Sequence, residues 1–388
     1  MLSSVLLADP VVVSGGPEND YESWIARLRD GRLMVVFDRN PDFRSGDLYV
    51  TFSTDDGATW NAPTAIITGT ADQPLPCFVE LPGDTFRLWY SSNETGFYRV
   101  HSAWSLDGLS WTEEGVVPLG WPTGTPDYYD PTVVLCPDSS LVMLYSVSTT
   151  GAHVARKPWG GEWDTLRTLV GANGRRPRIM RHSDGTHLAV YQRRSGGGQY
   201  DIDVFSRTST DLRDWTAELQ LTTNLNSHDP FCCETPDTGY VVYYAKAIGS
   251  IYYLHRRRSP DAVNWEPEEQ LTFEPVRNTQ PHVFFENGNE YLVYARATDY
   301  PSNHDVYFSS TPWTGLAEGE VRHAMGTPGL PSVIRRGTDL ELPGLSPGTR
   351  VRAVDATGRV RLAHPSVLPA GVWFVRVGSR TRRILVVD

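Results

Sequence analysis

This chain is poor in cysteine, in excess positive charge and in long apolar runs, and each shortage removes a class of protein. Cys77, Cys136, Cys232 and Cys233 are its only cysteines, and no C-x-x-C pair is among them. The spacing of a thiolate metal site is therefore missing. The four read as small buried thiols on the innermost strands of the fold, with adjacent Cys232 and Cys233 pointing to opposite faces. Lys and Arg number 35 against 46 Asp and Glu, a net charge of −11. That balance argues against a nucleic-acid partner, whose phosphates attract basic surfaces. No stretch approaches the roughly 18 apolar residues of a membrane-spanning helix, so no transmembrane segment is expected. Before residue 320 no long segment carries the 3.6-residue helical period. No cofactor or metal motif is found, and neither is expected.

What the chain does have is tryptophan at nearly equal steps: Trp60, Trp111, Trp163, Trp215, Trp265 and Trp313. The intervals are 51, 52, 52, 50 and 48 residues, the mark of a structural repeat. The flanking residues repeat too. Ser53-Thr54-Asp55-Asp56-Gly57-Ala58-Thr59-Trp60 is the fullest copy, with shorter ones before Trp111, Trp215 and Trp265. Asp and Ser side chains bond the backbone of a turn, and Gly supplies positive φ, so these boxes read as hairpin turns rather than catalytic acids. Ahead of the later tryptophans a Pro opens a segment ending in an apolar run at Tyr145, Tyr191, Tyr244 or Tyr294, as buried strands do.

Each repeat thus predicts four antiparallel strands, A to D. Six repeats predict an all-β fold, a six-bladed β-propeller over residues 8–320. Leu2 to Ala8 reads as the strand that closes the ring. A linker over 321–332 and a small C-terminal β-sandwich over 333–388 complete the domain reading, the latter from alternating runs such as Arg350 to Asp355 and Gly371 to Val377.

Aligning the repeats places one residue per blade at the entry to the innermost strand: Glu22, Leu75, Asp130, Arg176, Asp229 and Gln280. Three carboxyls and a guanidinium converging on one axis would shift one another's pKa, as glycosidic cleavage requires. The candidate catalytic groups are Asp130, Asp229 and Glu22. A second set, two residues past the Tyr position, contains Arg39, Arg193, Lys246 and Arg296, and reads either as an anion-binding rim or as cations paired with inner-ring acids. With Arg176, Gln280, Trp121 and Tyr128, these four are the candidate substrate binders, Trp121 and Tyr128 as a stacking wall for a sugar ring.

The Ser53-to-Trp60 box, the six-fold period and the Arg39, Asp47, Ser53 arrangement resemble the sialidase superfamily, the Asp-box (BNR-repeat) propellers. The resemblance implies the propeller fold and a glycan substrate. Asp20-Tyr21-Glu22-Ser23 stands where sialidases carry Arg-Ile-Pro. The Asp-Pro pairs at Asp130 and Asp229 also resemble family 43 and family 32 glycosidases, which have five blades rather than six. Asp355 to Val360, Leu368 to Val377 and the terminal strand from Arg382 to Val387 resemble the type A sorting domain of the type IX secretion system. That resemblance implies the secretion machinery as a partner and a secreted or cell-surface location. The functional expectation is an exported glycoside hydrolase-like protein, related to sialidases or other exo-glycosidases, acting on a glycan or polysaccharide, anionic ones included. The alternatives are a non-catalytic glycan- or protein-binding surface propeller, and a polysaccharide lyase using Tyr128 with His228.

Overall fold

Six four-stranded sheets, each ordered A-B-C-D, make up the first unit, five of them from consecutive stretches of the chain. The structure, a computed structural model, describes residues 9–41, 45–124, 126–198, 200–299 and 302–313, and the strands of the C-terminal segment. No helix occurs among the described residues. The innermost A strands are Asn19–Arg27, Cys77–Leu81, Tyr128–Leu135, Arg175–Arg181, Ser227–Glu234 and Arg277–Glu286. The B strands, Leu33–Asn40, Thr85–Ser92, Leu141–Val147, His187–Arg194, Tyr240–Ile248 and Asn289–Asp299, are almost wholly buried in their central residues, as the apolar runs require. The fold is the six-bladed propeller that the tryptophan spacing predicts.

The sixth blade takes its outermost strand from the other end of the chain. Val11–Val12 pairs antiparallel with Ser302–Pro312, Val11 opposite Phe308. The closing strand therefore begins three residues beyond the Leu2 to Ala8 stretch expected for that role, which lies outside the described residues.

The Ser/Asp turns join C to D strands, as their composition implies. Asp107 Oδ1 accepts from the backbone N–H groups of Leu109 (2.8 Å) and Ser110 (2.7 Å), and Ser105 Oγ from that of Gly108 (2.9 Å). Asp211 and Asp261 make the equivalent bonds. Each turn also stitches neighbouring blades. A Cβ on Gly57 would lie 2.1 Å from the Phe308 ring of blade 6, so only glycine fits there. The Trp60 ring meets the same phenylalanine edge-on at 5.5 Å.

All four cysteines are free thiols. Cys232 and Cys233 pack against different core clusters, as alternation demands. Cys136 lies one residue beyond its A strand, in the turn that follows, rather than within it.

The chain divides into two compact units, residues 1–317 and 318–388. In the second, Val333–Arg335, Val351–Asp355, Val360–Ala363, Gly371–Val377 and Arg380–Val387 form one five-stranded sheet. The expected linker, and the sandwich around this sheet, rest on residues outside those described.

Candidate functional site

In five blades the A–B pairing skips a step at the same place. The register breaks between Tyr21 and Trp24, Tyr129 and Thr132, Arg175 and Arg178, His228 and Phe231, and Thr279 and His282. Such bulges re-aim a side chain. The first unpaired residue in each is left-handed: Glu22 (φ 55°), Asp130 (62°), Arg176 (49°), Asp229 (52°) and Gln280 (56°). Leu75 (63°) takes the same conformation just ahead of its strand. Five of the six precede proline, which has no N–H to leave unpaired. A left-handed backbone costs an L-residue about 1–2 kcal/mol. The same strain held in every blade makes this ring the candidate site.

Three of the ring's charged groups meet. Arg176 Nη1 lies 2.6 Å from Glu22 Oε1, and Arg176 Nε lies 3.7 Å from Asp229 Oδ1. The Leu75 N–H donates to Glu22 Oε2 at 2.9 Å, and the Glu22 N–H donates to Gln280 Oε1 at 3.1 Å. The Asp229 N–H is held by Gln192 Oε1 at 2.6 Å. Burial pushes the Glu22 carboxyl above the usual range. Arg176 opposes that shift, and the charges of Asp130 and Asp229 add to it. Burial works against the Arg176 charge, yet Glu22, Asp229 and Asp130 together hold the guanidinium firmly protonated.

Above this floor opens a cavity of about 830 Å³, inside the size range of small-molecule sites. Tyr21, Tyr98, Tyr129, Tyr200 and Tyr252 line it, with Arg175, Arg277, His228 and His304 between them. Below the floor the bore is plugged. The His282 ring lies 4.0 Å from Trp24 and 4.2 Å from Phe231 between ring centres, and the void above the plug is about 20 Å³.

Asp38, at the end of the first B strand, is a cavity residue of another kind. It is wholly buried, with the Asn40 side-chain amide as the one hydrogen-bonding group set against its carboxyl. Burial pushes its carboxyl well above the ordinary range; Glu22 and Asp72 reinforce this and the Asn40 amide opposes it. Asp72, by contrast, is saturated, accepting from Tyr98 Oη (2.6 Å), the Gly46 N–H (2.9 Å) and Asn40 Nδ2 (3.2 Å). A Cβ on Gly46 would lie 2.1 Å from Asp38 Oδ1, so this packing requires glycine.

The structure brings together Glu22, Arg176, Asp229 and Gln280, and separates the other candidates from them. Asp130 sits under the floor, its side chain 1% exposed, against Arg178 Nη1 at 3.0 Å, with the Ser91 hydroxyl accepting from its N–H. It is absent from the cavity wall. Arg39 is clamped by Asp20 through two 2.7 Å bonds. Arg193 pairs with Glu218, Lys246 with Glu268 and Arg296 with Glu274. None of the four reaches the axial cavity, and none pairs with an inner-ring acid. The Trp121 indole donates to Tyr145 Oη at 3.1 Å, and the Tyr128 hydroxyl is directed to the Val117 carbonyl at 3.4 Å, both away from the cavity. His228 does line it, apart from Tyr128.

The residues that the repeat alignment missed stand one place from those it chose. Every residue just before the ring position lines the cavity: Tyr21, Pro74, Tyr129, Arg175, His228 and Thr279. On the B strands, Asp38 and Gln192 line it, each one before a residue of the cationic set, and so does Ser91. On the B strands alternation turns Asp38 and Gln192 inward and Arg39 and Arg193 away, whereas at the bulge both neighbours, such as Tyr21 and Glu22, line the cavity.

No family model matches the chain, and no curated protein does. Solved structures do. A protein of unknown function from Dyadobacter fermentans superposes with a TM-score of 0.65 at 14% identity, over 80% of this chain and all of that one. The GH93 alpha-L-arabinofuranosidase of Fusarium graminearum, solved with arabinobiose, gives 0.60 at 15% identity over 78% of this chain and 96% of its own. Trypanosoma rangeli sialidase, solved with the inhibitor DANA, gives 0.59 at 12% identity over 78% of this chain. The present chain spans only 58% of that sialidase. At these identities the likeness is one of fold.

Proposed function

We propose that this propeller is an exported, glycoside hydrolase-like protein that holds a glycan in the axial cavity. The observation that carries this reading is the pairing of Glu22 and Asp229 on one guanidinium, on strained backbone, at the floor of a tyrosine-lined cavity. Glycosidic cleavage needs two carboxyls in different environments, one keeping its proton and one ionised. Glu22 is the proton donor, since burial and two neighbouring acids raise it. Asp229, with its side chain 16% exposed and a long contact to Arg176, is the base or nucleophile. Arg176 and Gln280 orient Glu22, and the tyrosines offer ring faces to the sugar. Asp130 supports the site from below by holding Arg178. Structural likeness to a sialidase and an arabinofuranosidase supports the choice of glycans, and the sorting-type tail supports export to the cell surface or beyond.

A non-catalytic glycan-binding propeller is the second reading. It is favoured by the saturation of Glu22, whose carboxylate is engaged by Arg176 and the Leu75 N–H. Reducing-sugar release from a panel of plant and host glycans by the full chain, alongside Asp229→Asn, separates the two. Product from the wild type and none from the variant supports catalysis. Retention of glycans without product from either supports the binder.

A further inference from the structure

Beside the axial cavity lies a second one of about 880 Å³, lined by Asn173, Arg175, Gln192, Arg193, Arg194 and Ile202. Blade 4 supplies five of the six, and Asn173 lies in the connection from blade 3. Arg175 stands on its A strand, Gln192 to Arg194 on its B strand, and Ile202 on its C strand, with Arg175 opposite Gln192 and Arg194 opposite Ile202. Because A, B and C follow one another outward from the axis, this trough runs radially over the upper end of the blade. Arg175 and Gln192 also line the axial cavity, so the two spaces adjoin and share a wall.

The trough's charge is one-sided. Three guanidinium groups line it and no carboxylate does. Arg193 is neutralised by Glu218. Arg175 and Arg194 have no carboxylate partner among the described residues. Arg175 Nη1 donates to Tyr129 Oη at 2.9 Å and Arg194 Nε to the Gly198 carbonyl at 3.2 Å, which leaves further donors on each free for a ligand. The chain as a whole carries −11. Its field repels anionic ligands except where such a local patch reverses the sign. Two adjoining spaces, each as large as an entire small-molecule site, exceed the needs of a single sugar. The planar fork of arginine fits carboxylate and sulfate oxygens alike.

We propose that the Arg175–Arg194 trough is an outer subsite for an acidic oligosaccharide, binding the carboxylate or sulfate of the sugars that lie beyond the one held at the axis. This rests on the glycan reading above and assigns it a substrate class. A glycan array holding neutral, uronate-bearing and sulfated oligosaccharides tests it, probed with the full chain as Asp229→Asn and as Asp229→Asn with Arg194→Gln. Arg194 is exposed, so its substitution leaves folding intact. The expected result is retention of acidic glycans, weakened about tenfold by Arg194→Gln, and about a hundredfold when Arg175→Gln is added. The preferred class on the array tells uronate from sulfate. Retention of neutral glycans, or no loss on removing Arg194, overturns the trough and leaves the glycosidase reading standing. Retention of no glycan overturns both.

Discussion

The inner ring and the outer cations come from the same alignment of the same repeats, yet they do different work. In the ring, six equivalent backbones share one strained conformation, while the side chains differ from blade to blade and meet across the axis. In the outer set the side chains agree and never meet. Arg193 and Tyr191 share Glu218, and Lys246 and Tyr244 share Glu268, so a repeated Tyr–Glu–cation unit fastens the D side of the blade to its B strand. The ring gathers charges from several blades where water is scarce and Coulomb energies are large. The outer set resolves each charge inside its own blade. Repetition of a residue type around a propeller therefore points to structure, and variation at a repeated, strained position points to the site.

The comparison can be broken at four places. Asp229→Asn, at the ring, should lower turnover of a cleaved glycan by about 10²–10⁴-fold with thermal stability retained; turnover within a few-fold of wild type ends the assignment of Asp229. Asp130→Asn, just below the ring, leaves Arg178 charged and largely buried without its partner. Denaturant unfolding should show a loss of about 3–5 kcal/mol, and a loss under 1 kcal/mol would mean that the Arg178 pair is not holding the floor.

Asp38→Asn should stabilise the protein, and more so as pH rises. The folded-state value of Asp38 is raised, so the native chain keeps a proton that the unfolded chain has released. Wild-type stability therefore falls as pH climbs above the unfolded value near ~3.9, until it passes the folded value. The amide removes that fall, and the gap between variant and wild type should widen by about 1.4 kcal/mol per pH unit in this window. Melting curves from pH 4 to 8 that stay parallel would contradict the buried, proton-holding carboxyl. Lys246→Met, in the outer set, should cost no more than about 1 kcal/mol and leave turnover unchanged. A large loss of turnover there would return the outer cations to the site.

The sequence made the propeller readable because its signals are local and repeated: a turn chemistry recurring every fifty or so residues, and apolar runs between. The strained ring was legible as well, since proline follows it in five blades. The walls were harder to read. Tyr21, Asp38 and Arg175 lie next to the residues singled out: the bulge brings Tyr21 to the cavity along with Glu22 and Arg175 along with Arg176, while the strand face admits Asp38 and excludes Arg39. Asp130 failed to join Asp229 at the surface because Arg178, two residues past the ring in the next blade, draws its carboxyl under the floor. No spacing rule anticipates a partner contributed by another blade.

The aromatic stopper of Trp24, Phe231 and His282 makes the bore a blind well. A polymer cannot be threaded through it. Under the proposed activity a glycan reaches Glu22 and Asp229 from the open mouth alone, and whatever is clipped off must back out through the opening by which it came.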